Sequence, residues 1–328
     1  MDGPHRSHRA RQGERPELIP LDEIRRARER IGDDVLRTPL VPLGADDRIR
    51  LKLECLHPIG SFKLRGAFSA IRAASTGELA EGVVTASAGN MAQGLAWAAR
   101  EAGVPARVIV PADAPRAKLD RVEALGAELV TVTHEEWWQA MVDRGREGVG
   151  GLFVAPAAEE AVMAGNGTIG LEIAEDAPEF DSVVIPWGGG GLTTGIASAL
   201  KALRPGVRVV TAEPESGAPL AAALAAGEPQ EIEFEPSWVD GAGGRGLLPG
   251  MWERARALVD EAVAVPLIEV EEAVRLLAAR AHVVAEGAGA LALAAARRRD
   301  DRCVCIVSGG NIDPAVLARI LAGPNLAL

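Results

Sequence analysis

Residues 182–203 read SVVIPWGGGGLTTGIASALKAL, and this stretch decides the architecture. A strand-like run, Ser182–Pro186, leads into Gly188, Gly189, Gly190 and Gly191, and a segment of helical period follows. Four successive glycines cost conformational entropy on folding, so a simple tight turn seldom uses them all. Without Cβ atoms they let several N–H groups converge on one point, and the following helix adds the positive end of its dipole. The dipole contributes about 0.3–1 kcal/mol, so the converging N–H groups must carry most of the grip on an anion. No G-K-[ST] follows, which excludes a Walker loop. The expected role of Gly188, Gly189, Gly190 and Gly191, with Leu192 at the helix start, is a phosphate cradle; the bland alternative is a close-packed strand–helix turn.

The same alternation extends outward in both directions. Further strands are expected at 50–53, 82–86, 107–110, 128–132, 152–155, 207–212 and 303–307, with helical segments between them. In MAQGLAWAAREAG, Leu95, Ala98, Ala99 and Ala102 share a face, and Gly103, Gly126 and Gly206 are read as helix C-caps. Strand–helix–strand repetition predicts an α/β fold of parallel or mixed sheets covered by helices. Ligands of such sheets bind beyond the carboxyl ends of the strands, so the functional search belongs in the strand-to-helix turns.

Composition limits the chemistry. The 328 residues include no Tyr and five His, so a tyrosine acid or base is excluded and imidazoles are scarce. The net charge of −11 argues against a nucleic-acid partner. Residues 1–16 set Arg6, Arg9, Arg11 and Arg15 against Asp2 and Glu14 and lack the apolar run of a secretory leader, so they are expected to be a disordered tail. No stretch approaches the roughly 20 apolar residues of a membrane helix. Cys55, Cys303 and Cys305 form no metal spacing and suit buried thiols in a reducing cytoplasm.

Three other motifs carry chemistry. In HPIGSFKLRGAF (57–68), Lys63 sits on a helical pattern between apolar flanks. Most lysines are solvated, but a desolvated one has a lowered pKa and becomes a nucleophile toward carbonyls. His57 is read as structural. In TASAGNMAQG (85–94) a strand ends at Ser87, Ala88, Gly89, Asn90 and Met91, where a helix begins. Ser and Asn there are ordinary capping residues, or fixed donors for a carboxylate. VSGGN (307–311) places Ser308 at another strand's carboxyl end. GNGTIG (165–170) matches G-x-G-x-x-G, but no strand runs into it, so the dinucleotide reading is weak. A phosphate cradle, an amine and a carboxylate cradle together fit pyridoxal phosphate held as an imine on Lys63, with an amino acid as substrate.

With these motifs in order, the sequence resembles the fold-type-II pyridoxal-phosphate enzymes, and among them the threonine/serine dehydratases. The likeness runs from about Leu36 to Asn311: GSFKLRGA is similar to the lysine motif, SAGNMAQG to the asparagine loop, GNGTIGLEI to the central helix, GGGGL to the phosphate loop and SGGN to the pyridine loop. The resemblance implies that Phe62 packs on the cofactor ring, Asn90 bonds the ring hydroxyl, Ser308 faces the pyridine nitrogen, and Glu286 in AEGAGA lies near the cofactor. Ser87 and its loop would hold the substrate carboxylate. A neutral hydroxyl opposite the pyridine nitrogen makes a weaker electron sink than a carboxylate would, which favours elimination over transamination.

The implied reaction is loss of water from a β-hydroxy amino acid such as L-threonine or L-serine, giving a 2-oxo acid and ammonia. Other reactions of the fold stay open: dehydration of hydroxyaspartate, an aryl-serine or a hydroxyectoine-pathway intermediate, β-replacement, or threonine-synthase-like chemistry. A non-catalytic binding protein is opposed by the retained Lys63. The departures carry information. Ala88 stands where family racemases keep a second serine as acid/base, which argues against racemisation, and Met91 replaces a histidine. Glu213 is kept from the family's cation motif, but Pro219 stands where an Asp is used, so no metal is expected. The resemblance also implies a homodimer. The expected organisation is a large cofactor domain, 17–78 with 158–328, and a small mobile domain, 79–157. With only a short helical segment after SGGN, the regulatory domain of isoleucine-inhibited members is not expected. Trp137 and Trp138 in HEEWWQA are read as core or contact residues, with the core expected.

Overall fold

The computed structural model describes residues 18–44, 46–177 and 179–323; the tail 1–16 lies outside them. The chain runs α1 (Leu21–Ile31), β1 (Leu40–Leu43), β2 (Asp46–Lys52), α2 (Lys63–Ala73), β3 (Val83–Ala86), α3 (Asn90–Ala102), β4 (Ala106–Pro111), α4 (Arg116–Ala124), β5 (Glu128–Val132), α5 (His134–Asp143) and β6 (Leu152–Phe153). It continues through α6 (Glu160–Asp176), β7 (Ser182–Pro186), α7 (Gly191–Leu203), β8 (Arg208–Pro214), α8 (Pro219–Ala226), α9 (Met251–Leu258), β9 (Glu261–Val265), α10 (Leu267–Leu276), α11 (Gly287–Ala296), β10 (Cys303–Ile306) and α12 (Pro314–Leu321).

Two sheets result. The first has the order β1-β2-β10-β7-β8-β9, antiparallel at β1–β2 and parallel elsewhere. The second, β5-β4-β3-β6, is wholly parallel and takes all its strands from residues 83–153. Strands covered on both faces need apolar side chains throughout rather than in alternation, and β3, β7 and β10 are buried at every position. Because β10 pairs with β7, the turns after these two strands leave the sheet side by side. Among the described residues no helix is long and apolar enough to cross a membrane.

The G-x-G-x-x-G match lies inside the buried helix α6. A Cβ at Gly165 would stand 2.5 Å from Arg65 O, and one at Gly170 would stand 2.8 Å from Ile196 O. These glycines therefore bring α2 and α7 close to α6, which is a packing function. Gly103 and Gly126 have the positive φ of C-cap glycines, whereas α7 ends at Leu203, capped by Arg204, before Gly206 is reached. Pro205 supplies the stop that the glycine was expected to give. Ala102 is exposed rather than on the buried face of α3, and Cys55 is half-buried. Two strands escaped the sequence reading: β1 is short and half-exposed, and β9 is an edge strand with only Val265 buried, so neither presents the continuous apolar run of the others.

Candidate active site

Every site residue singled out in the sequence lines one cleft of about 680 Å³. Lys63, first residue of α2, donates from Nζ to Pro156 O at 2.6 Å, and the ammonium lies 5.1 Å from the Phe62 ring centroid. Burial pulls its pKa down to about 8, with Glu286 opposing. The amine therefore has a neutral fraction near physiological pH that an ordinary lysine lacks.

The glycine loop follows β7 through Trp187. Gly190 takes the left-handed conformation (φ 84°) as N-cap of α7. A Cβ would stand 2.6 Å from the Ala157 Cβ at Gly189 and 2.5 Å from Ala157 O at Gly191, so the loop passes too close to the β6–α6 turn for side chains. Among the described residues no protein acceptor meets the N–H groups of Gly188, Gly189 and Gly190. The helical ladder starts with Thr194 N–H donating to Gly190 O at 2.9 Å, which leaves the N–H groups of the first turn free as well. Unmet N–H groups converging from a glycine loop and a helix start are a donor set for a phosphate, and the residues present fit pyridoxal phosphate.

The other two turns meet the lysine motif. Phe62 N–H donates to Ser308 O at 3.0 Å, and Ser61 bridges Gly309, which seats the buried Ser308 in the cleft wall. Asn90, first residue of α3, donates from Nδ2 to Glu286 Oε1 at 2.7 Å and accepts at Oδ1 from Asn311 Nδ2 at 2.7 Å. Ser87 Oγ accepts from Gly89 N–H at 3.2 Å, holding the turn in which Ala88 and Met91 also line the cleft. Burial raises the Glu286 pKa to about 7; the Asn90 bond opposes this, Asp240 adds to it, and Lys118 and the Asn311 backbone oppose it.

Outside the cleft, His57 Nε2 donates to the Glu54 carboxylate at Oε2, 2.9 Å away, in a fully buried network. Arg65 there bonds Glu54, Glu172, Thr168 and Leu36 O, and Lys52 bonds Glu172. This network anchors α2 two residues beyond Lys63. Glu213 accepts from Leu220 N–H at 3.0 Å and Ala221 N–H at 2.8 Å, capping α8, and its burial raises its pKa to about 7.

Two placements were not foreseen. Trp138 is 50% exposed, whereas the half-buried Trp137 packs against the cluster of Val84, Ile109 and Phe153 and also lines the cleft, so only one of the pair meets the core. In α5 one side packs under the sheet, and two adjacent positions of a helix cannot both point there. The sequence reading also missed Lys118, Arg121, His134, Asp240 and Asn311, which reach the cleft from four separate segments. Asn311 had a signal, since it closes the SGGN motif; the others stand in charged helical or loop sequence that looks like solvated surface.

The family model of pyridoxal-phosphate dependent enzymes matches residues 31–309. An L-threonine ammonia-lyase of Thermotoga maritima is 38% identical over 315 residues, covering 93% of this chain and 78% of that protein. A serine racemase of Oryza sativa is 33% identical over 314 residues, covering 90% of this chain and 92% of that protein. The solved structure of maize serine racemase superposes with a TM-score of 0.83 at 32% identity, covering 92% of this chain and 97% of that one. With a free N–H cradle, a desolvated lysine and these matches over most of its length, the chain belongs to the pyridoxal-phosphate dependent enzymes of fold type II, in the threonine/serine dehydratase-like family.

Proposed function

We propose that the enzyme is an ammonia-lyase that eliminates water from a β-hydroxy amino acid such as L-threonine or L-serine, releasing a 2-oxo acid and ammonia. The observation that carries this reading is the pairing, in one cleft, of a desolvated Lys63 with a turn whose second position is the methyl of Ala88. Lys63 supplies a base on one face of the substrate, and Ala88 has no hydroxyl to serve the other. The names of the Thermotoga and rice relatives support a substrate of threonine or serine size.

In this reading the N–H groups of Gly188 to Leu192 hold the phosphate, Phe62 packs on the ring, Asn90 meets the ring hydroxyl and Ser308 faces the ring nitrogen. Bound pyridoxal phosphate supplies the electron sink that steadies the charge left when the α-proton is removed. Ser87, Gly89 and Asn90 bind and orient the substrate carboxylate. Lys63 Nζ takes the α-proton. The departing hydroxyl needs a proton in turn; with no Tyr in the chain and His57 committed to Glu54, Lys63 returns the proton that it took. Residues 79–157 act as a mobile small domain against a large one formed by 17–78 and 158–328. Its closure excludes water from the cleft, a role supported by the Lys118–Asp240 ion pair across the mouth. We also place the enzyme as a homodimer in a reducing cytoplasm, the former testable by sedimentation of the holoenzyme.

The test is to incubate holoenzyme with L-threonine, L-serine and their D-isomers, measuring 2-oxo acid, ammonia and substrate chirality. Keto acid with equimolar ammonia, without racemisation, is expected; no keto acid from any β-hydroxy amino acid would sink the proposal. A second reading, an aryl-serine as the preferred substrate, is favoured by Met91, Pro115 and Trp137 on the cleft wall. Phenylserine in the same assay separates the two.

A further inference from the structure

Helix α4 presents three faces of different chemistry. Leu119 and Val122 are buried in the core of the four-stranded unit. Arg116 turns outward and pairs along the helix with Asp120 and Glu123. Lys118 and Arg121, three residues apart and therefore on one face, reach across the cleft mouth. Lys118 pairs with Asp240. Arg121 donates from its guanidinium to Asn311 Oδ1 at 2.9 Å, 190 residues away. It is exposed, and among the described residues this is its hydrogen-bond partner.

From Asn311 a chain of bonds runs inward with one polarity. Asn311 Nδ2 donates to Ile59 O and to Asn90 Oδ1, each at 2.7 Å. Asn90 Nδ2 then donates to Glu286 Oε1 at 2.7 Å. Ile59 O cannot donate, so Asn311 must keep its amide nitrogen inward and its oxygen toward Arg121. Asn90 is oriented in turn, with nitrogen toward Glu286. The backbone is shaped around this chain: a Cβ at Gly60 would stand 2.8 Å from Asn311 Oδ1, and one at Gly309 would stand 2.2 Å from Glu286 Oε1. Two glycines thus leave room for side chains of the relay.

We infer that Arg121 is a positioning residue for the cofactor site, acting through Asn311 on Asn90 and Glu286, and completing the relay when α4 lies over the cleft. The inference rests on the reading above that Asn90 meets the cofactor ring. The terminal guanidinium polarises each bond that follows, since donors and acceptors in a chain strengthen one another in a partly desolvated setting. It also ties the orientation of Asn90 to the placement of a helix on the four-stranded unit, so an open cleft holds Asn90 less firmly than a closed one.

The test compares Arg121→Met and Arg121→Lys with Arg116→Met, a change on the self-paired outer face of the same helix. Melting temperature of the apoprotein, the dissociation constant for pyridoxal phosphate, the visible absorption of the holoenzyme, and kcat and KM are measured for each. Arg121→Met should leave melting unchanged, weaken cofactor binding about threefold to tenfold, alter the visible band and lower kcat with KM nearly constant. Arg121→Lys should recover part of each effect. On an Asn311→Ala background, Arg121→Met should add nothing, because the route is already cut. If Arg121→Met matches Arg116→Met in affinity and spectrum, or keeps its full effect on that background, the relay is overturned. Asn90→Ala is the separate control: it should change the spectrum whether or not the relay exists, and if it does not, the placement of Asn90 at the cofactor is what has failed.

Discussion

Replacing Gly191 with Ala asks whether the glycine run is a ligand cradle or only a packed turn. The added Cβ would stand 2.5 Å from the carbonyl oxygen of Ala157, 3.0 Å from its Cα and 3.1 Å from its carbonyl carbon. The oxygen, Cα and carbonyl carbon all belong to the backbone of the β6–α6 turn, so no rotamer change relieves the overlap. Gly191 is not in the left-handed region, and the cost is therefore steric rather than conformational. Overpacking of this kind costs about 1–3 kcal/mol. Relief requires the first turn of α7 to move by the ~1 Å between that overlap and normal contact. A shift of that size takes N–H···O bonds of about 2.9 Å beyond useful range. Losing two such bonds to a charged phosphate, at about 1.5 kcal/mol each, weakens cofactor binding roughly 100-fold. Titrating apoenzyme with pyridoxal phosphate and following the visible band gives the affinity directly. Melting with and without cofactor gives a second measure, since the stabilisation by saturating ligand shrinks as the dissociation constant rises. Gly206→Ala is the internal control: nothing lies within 4 Å of its added Cβ and its φ is unremarkable, so stability and affinity should stay close to the parent. A Gly191→Ala protein that melts earlier yet binds the cofactor as tightly as the parent would refute the cradle.

Lys63→Met should abolish turnover and stabilise the apoprotein near pH 7. The folded-state pKa of about 8 lies below the ordinary lysine value of 10.5, so Lys63 contributes stability above pH 10.5 and loses it as pH falls through 8. The variant's gain, on the order of 1–2 kcal/mol with the lost Pro156 bond allowed for, should fade between pH 8 and 10.5 in denaturant titrations. Arg65→Met leaves Glu54 and Glu172 buried with a guanidinium removed; about 3–5 kcal/mol of stability should be lost in urea unfolding, and a loss under 1 kcal/mol would mean the network is not a closed charge balance. Ala88→Ser returns a hydroxyl to the turn, and chiral chromatography of residual serine should then show racemisation that the parent lacks. An unchanged product ratio would show that Ala88 does not set the reaction face.

The parallel α/β architecture and the turn motifs were legible because they rest on local chemistry. A strand buried on both faces needs an unbroken apolar run, and SVVIP and CVCIV are such runs. Four glycines before a helix have few other uses, and Lys63 between apolar flanks stands out from solvated lysines. The same logic disposed of GNGTIG, whose glycines proved to be contact points of α6 with α2 and α7. The edge strands β1 and β9 and the true end of α7 were harder, since half-exposed strands alternate weakly and a cap depends on where the chain turns.

What the sequence by itself determined is therefore the inventory: which residue types stand at the carboxyl ends of which strands, and so which cofactor chemistry the chain can hold. What only the tertiary structure decided is how distant segments meet. Ala157 beneath the glycine loop, Glu213 spent on capping α8, Trp137 in the cleft wall, and the line from Arg121 through Asn311 to Asn90 and Glu286 join residues up to 221 positions apart. A turn's chemistry depends on its neighbours along the chain, and is written there. Which charged side chain crosses a cleft depends on how two sheets pack, and local sequence carries no record of that distance.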